Sequence, residues 1–193
     1  SAKDEIWVSK GTYAGGVILP DGVKLLGGFI GIETSNSQRN PSVYSSILDG
    51  KLLGTVVTVA ENAGASTVID GLTLKNGKGT LVTVSGQKYY NGGGIYSLNA
   101  SPTISNNNIT ANSIRNLGGG IYISGGSPTI TGNQITSNIA RDSVTTTGYG
   151  GGIYCGSTTA VIMNNKITDN KANNSGGGIY CAPSTAPTIL YNA

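Results

Sequence analysis

The chain has 193 residues, of which 11% are charged, a net charge of +3 and no histidine. Its length suffices for one continuous core, and its charged fraction is less than half the usual ~25%. Lysine and arginine are scattered without a run and no apolar stretch approaches a membrane span, which argues against a nucleic-acid surface, an anionic-membrane surface and membrane insertion.

In chain order, residues 5–10 alternate polar and apolar and predict a strand closed by Gly11. Residues 16–20 and 23–26 follow as strands, with Pro20-Asp21-Gly22 as the turn between them. Residues 27–45 are glycine-rich, polar and irregular, and predict a compact surface loop tied by a Glu33–Arg39 ion pair. Ile47-Leu48-Asp49-Gly50 and Val68-Ile69-Asp70-Gly71 are two related segments that restart the solenoid, and the spacing of their Asp-Gly pairs would make the early repeats shorter than the later ones. Asp49 and Asp70, each before a glycine, read as turn residues. Residues 55–60 and 66–75 are strand-like, and residues 81–85 fit either another repeat strand or a projecting hairpin.

From residue 92 the chain becomes periodic. Gly-Gly-Gly-Ile-Tyr occurs at residues 92–96, 118–122, 150–154 and 176–180, with isoleucines Ile95, Ile121, Ile153 and Ile179. Nine residues after the first three comes a second isoleucine (Ile104, Ile130, Ile162), and Ile189 stands ten after the fourth. Five further on lies a third (Ile109, Ile135, Ile167). A fixed period of this size is the mark of a solenoid. Side chains alternate along a strand, so inward residues nine and five apart require a corner in each gap. Ser124-Gly125-Gly126-Ser127-Pro128 and Gly132-Asn133 supply that corner chemistry. The expected unit is a rung of three short strands around a triangular core, about 26 residues long, pairing in parallel with its copies. Residues 1–91 form irregular rungs and residues 92–193 regular ones, the last incomplete, as in a fragment of a longer chain. The interval from Ile121 to Ile153 is longer than the intervals before and after it, its extra residues falling within 140–149, where a loop leaves one corner.

Asparagine keeps the same register. Asn107, Asn133, Asn165 and Asn192 each stand three residues after a second isoleucine, and Asn112, Asn138 and Asn170 three after a third. Asparagine tolerates left-handed backbone at a corner, and its amide can donate to one copy while accepting from another, so both sets read as structural ladders. Cys155 and Cys181 follow the repeat tyrosines and are close enough for a bridge on distance alone; parallel in-register side chains favour two buried thiols. If the isoleucines point in, Tyr96, Tyr122, Tyr154 and Tyr180 point out as an aromatic row. That row either stacks on itself to cover a sheet or offers a platform to sugar rings or a protein. Threonines also align (Thr110, Thr136, Thr168; Thr103, Thr129, Thr188), as an ice-binding array would, although Val161 breaks the second rank and strand propensity accounts for both.

Residues 92–112 and their copies resemble the repeats of right-handed parallel β-helix proteins, the pectate-lyase-like superfamily. The pairing of Gly-Gly-x-Ile with x-x-x-Asn is similar to the chlamydial polymorphic outer-membrane protein repeat, with Ile109, Ile135 or Ile167 where that repeat has phenylalanine. Residues 27–34 with Gln38-Arg39-Asn40-Pro41 and Ile47-Leu48-Asp49-Gly50 resemble the N-terminal region of large bacterial secreted or surface β-helix proteins. The resemblance implies an all-β, right-handed parallel β-helix, secreted or on a bacterial cell surface. The role it implies is structural or adhesive, an outer face for polysaccharide or a surface protein. The alternative is a non-catalytic portion of a polysaccharide lyase or glycoside hydrolase. Lyases of that superfamily use clustered acidic calcium ligands, whereas this chain has nine acidic residues, and only Asp142 and Asp169 beyond Gly71. These two are one period apart, but a solvated surface explains them better than a carboxylate pair. No catalytic residue, metal or cofactor is expected.

Overall fold

Each turn of the chain lays one strand on each of three faces. The computed structural model describes residues 4–84, 86–141, 147–183 and 185–193. The first face carries seven strands: Glu5–Ser9, Lys24–Phe29, Val68–Asp70, Thr103–Ser105, Thr129–Thr131, Val161–Met163 and Thr188–Leu190. The second carries six, Gly11–Ala14, Ser46–Asp49, Leu72–Lys75, Asn108–Thr110, Gln134–Thr136 and Lys166–Thr168. The third also carries six, Val17–Leu19, Val57–Val59, Ile95–Leu98, Ile121–Ser124, Ile153–Gly156 and Ile179–Cys181. Neighbours on every face run parallel, as the periodicity requires.

The rungs hold one element more than expected. Two-residue strands at Ser113–Ile114, Ile139–Ala140 and Lys171–Ala172 pair with one another as a short fourth face. Only one side chain of each turns inward, Ile114 and Ala140 being buried, and one inward residue leaves no period to read.

In-register stacking builds the core. Ile95, Ile121, Ile153 and Ile179 lie one over another, continued by Val57. Leu25, Ile69, Ile104, Ile130 and Ile162 form a second buried column, and Leu48, Leu74, Ile109 and Ile135 a third. Burying each such side chain contributes about 1.5–3 kcal/mol relative to exposure. The glycine triplets follow from the same stacking. The first glycine of each is left-handed, as at Gly118 (φ 71°). A Cβ on the second would collide with the next rung, at Gly119 coming within 2.4 Å of the Gly151 carbonyl oxygen.

The irregular half departs from its sequence reading in three places. The two Asp-Gly segments are not copies: Leu48 pairs with Leu74 on the second face, whereas Ile69 pairs with Leu25 and Ile104 on the first. Both end in a glycine because both enter a corner, for different reasons. Gly71 is left-handed, while a Cβ at Gly50 would strike the Asn76 carbonyl. Second, Gly27, Gly28 and Phe29 extend the strand Lys24–Phe29, with buried Phe29 stacked on Trp7 at 4.7 Å. The loop therefore begins at Ile30 and holds one 3-10 turn, Asn36–Gln38. Third, the Glu33 carboxylate accepts the backbone N–H groups of Ile30, Gly31 and Ile32 rather than pairing with Arg39. Thr80–Val84 and Gln87–Asn91 form an antiparallel hairpin beside the coil; Ser85 between them is outside the described residues. Residues 142–146 of the expected corner loop are also outside them.

Candidate functional site: a polar groove beside the amide ladders

Both asparagine ladders are continuous. Asn133 Nδ2 donates to the carbonyl oxygens of Ile104 and Thr131 and to Asn165 Oδ1, while its own Oδ1 accepts from the backbone N–H and Nδ2 of Asn107. Asn112, Asn138 and Asn170 repeat the pattern, and Asn192 accepts from Asn165. Both ladders end on backbone, the N–H groups of Leu72 and Gly77 donating to Asn107 and Asn112. The left-handed backbone expected at these asparagines lies one residue earlier, at Asn106, Gly132 and Asn164 and at Ala111, Ser137 and Asp169. The preceding residue makes the turn, which aims the next side chain into the coil, where its amide meets its copies.

The four repeat tyrosines stack as a column, with centroid separations of 5.0, 5.3 and 5.6 Å and interplanar angles of 8°, 6° and 19°. Tyr149 tilts against Tyr180 at 4.7 Å. Ring faces lie on ring faces, and Tyr96 and Tyr122 are only 8% and 9% exposed. Tyr154 and Tyr180 are half-buried. Burial raises the phenol pKa values of Tyr96, Tyr122 and Tyr154; Tyr154, further disfavoured from ionising by neighbouring phenols, is pushed up to about 12.

A groove of about 910 Å³ opens where the loop of residues 30–45 leans over the first and second faces. Arg39 anchors it, one nitrogen donating to the Asp70 carboxylate and another to the Gly27 carbonyl oxygen at 3.1 Å. Asp70 also accepts from Ser105 and from Asn106 Nδ2. Gly71 gives the loop room to pass, since a Cβ there would stand 2.7 Å from Pro41 and 2.8 Å from Arg39. Lys24, Thr73, Asn108 and Gln134 line the walls. The buried Oδ1 of Asn108 has no partner among the described residues. Asp49 is a turn residue as read, its Oδ1 accepting the Lys51 N–H; Asp70 is instead a buried ion-pair partner. Sequence reasoning missed this groove, and the one available signal was an arginine in a glycine-bounded loop with no acidic partner at helical or strand spacing.

The remaining candidates lie apart from it. Cys155 and Cys181 pair in register as free thiols, one buried and one exposed; burial, then the neighbouring thiol, pushes Cys155 well above the usual thiol range. Asp169 is an exposed left-handed corner residue, and Asp142 is outside the described residues. The threonine ranks form as expected, Thr110, Thr136 and Thr168 in one and Thr103, Thr129, Val161 and Thr188 in the other. Among the described residues no three His, Cys, Asp or Glu side chains converge on a metal-sized site.

In comparison with known proteins, the family model of the right-handed beta helix region matches residues 54–193, well over half the chain. No curated protein and no solved structure matches it.

Proposed function

The chain belongs to the family of right-handed β-helix regions, and on that premise we propose that it is a structural and adhesive module, secreted or displayed on a bacterial surface, that holds a neutral glycan against its outer face. The groove beside the loop of residues 30–45 is the observation that carries this reading. Its walls offer amides at Asn106, Asn108 and Gln134, a hydroxyl at Thr73 and the Lys24 ammonium. Planar amides and hydroxyls both donate and accept, which suits the paired hydroxyl groups of a sugar. The Asp70 carboxylate is engaged by Arg39, Ser105 and Asn106, which makes it a strut rather than a proton carrier.

Retention on immobilised neutral polysaccharides, read together with release of new reducing ends, tests the reading. Replacing Thr73 and Gln134 with alanine removes two wall contacts and is expected to weaken retention about tenfold. Unchanged retention sinks the groove as the site. Phenylalanine at Tyr154 and Tyr180 keeps the stack and deletes its hydroxyl edge; a loss there instead would move the site to the tyrosine column. New reducing ends would favour the polysaccharide-degrading alternative.

A further inference from the structure

The hairpin of Thr80–Val84 and Gln87–Asn91 has two long edges, and they are treated differently. Along the second strand the Tyr90 N–H donates to Asn116 Oδ1, and the Tyr90 carbonyl oxygen accepts the Asn116 N–H. The Tyr90 backbone is therefore turned away from the first strand and toward the coil. Tyr90 pairs with Leu81. In an antiparallel ladder the partner of such a residue also turns its N–H and C=O outward, so Leu81 does, and so does Thr83 two residues on. Thr80, Val82 and Val84 face the second strand instead. The backbone groups of Leu81 and Thr83 have no partner among the described residues.

This edge is bare. Leu81 and Thr83 are exposed, and Thr80–Val84 contains no charged residue and no proline to blunt it. Its foot is fixed to the coil. Thr80 Oγ1 and Thr55 Oγ1 are joined at 2.7 Å, and the Lys78 N–H donates to the Gly54 carbonyl oxygen. Beside that foot the turn of residues 51–54 leaves Leu52 and Leu53 54% and 87% exposed.

We propose that this edge pairs with the same edge of a second copy across a two-fold axis at Val82, so that two hairpins become one four-stranded antiparallel sheet. The outward residues set the register. With the axis at Val82, Leu81 stands opposite Thr83 of the second copy and Thr83 opposite its Leu81. Each outward N–H then meets an outward C=O. An axis at Leu81 or at Thr83 leaves the other outward residue unpaired. A copy suits the edge by symmetry, and the uncharged strand brings no like charges together at the axis. Antiparallel pairing also lays the far end of each strand beside the foot of the other, toward exposed Leu52 and Leu53. A two-stranded ribbon is marginal by itself and gains from being widened. The contact is separate from the groove and does not depend on it.

Sedimentation equilibrium of the whole chain from about 10 µM to about 1 mM tests the proposal, and monomer is expected to pass to dimer within that range. Leu81→Lys/Thr83→Lys sets like charges opposite each other in this register and is expected to weaken dimerisation about tenfold or more. Leu81→Lys/Thr83→Glu alters the same two positions but sets opposite charges there, and is expected to stay within about threefold of wild type. In hydrogen exchange the Leu81 and Thr83 amides should slow where the dimer prevails. A wild type that stays monomeric throughout, equal losses in the two variants, an association that neither variant alters, or unchanged exchange at these two amides overturns the proposal.

Discussion

Asn133 makes five hydrogen bonds through one side chain that is 1% exposed. Alanine there removes all five and strands the Asn107 N–H, among other polar atoms, away from water. Stranding buried polar groups costs about 1–3 kcal/mol each, so Asn133→Ala is expected to lose about 3–5 kcal/mol in urea unfolding. Asn192→Ala, at a half-exposed rung where water can substitute, is expected to lose clearly less. The tyrosine column has a pH signature. The folded pKa of Tyr154 lies above its unfolded value of 10.0, so its neutral form is the one folding favours. That stability is intact below pH ~10 and is lost as pH rises through about 12, with Tyr96 and Tyr122 adding in the same direction. A tyrosinate absorbance titration should show a late phase above the ordinary phenol range that Tyr96→Phe/Tyr122→Phe/Tyr154→Phe removes; its absence from the wild type would contradict the burial of these three phenols. The ladder residues were legible because a period repeats them. The turn-making residue before each was not, because Ala111, Ser137 and Asp169 share no side chain, only a backbone angle.

At the scale of elements, the groove depends on one pin. Arg39→Met keeps the bulk of the side chain and leaves Asp70 with Ser105 and Asn106. The loop of residues 30–45 should then be cut faster by a protease while the far-ultraviolet circular dichroism of the coil stays unchanged. A cleavage rate equal to wild type would show that Pro41, wedged against Gly28 and Gly71, holds the loop alone. The regular rungs were readable from isoleucine spacing down to the register of individual pairs. The Arg39–Asp70 pair was not, since its partners are 31 residues apart in the half of the chain without a period. Glu33 stood nearer in sequence, but three backbone N–H groups had already claimed its carboxylate. The same loss of period misaligned Asp49 with Asp70, where the shared feature was a corner rather than a face.

For the whole molecule, each rung touches only the rungs on either side, so stability accumulates as neighbour terms along one axis. Amide hydrogen exchange should be slowest at Ile104, Ile109, Ile130 and Ile135, which are fully buried between neighbours. It should quicken toward Gly11–Ala14, exposed throughout, and toward Thr188–Leu190, exposed likewise. Uniform protection from one end to the other would mean a single cooperative block instead. The amide ladders add a vector to this stack: every Oδ1 faces the preceding rung and every Nδ2 hands a proton on to the following one. Each joint is therefore chemically identical to the last. A spliced-in copy of one complete period would find a donor waiting on the preceding rung and an acceptor on the following one, while half a period would leave both unmet. Reach, in such a molecule, is a quantised trait that duplication can lengthen by whole storeys without redesigning a single seam.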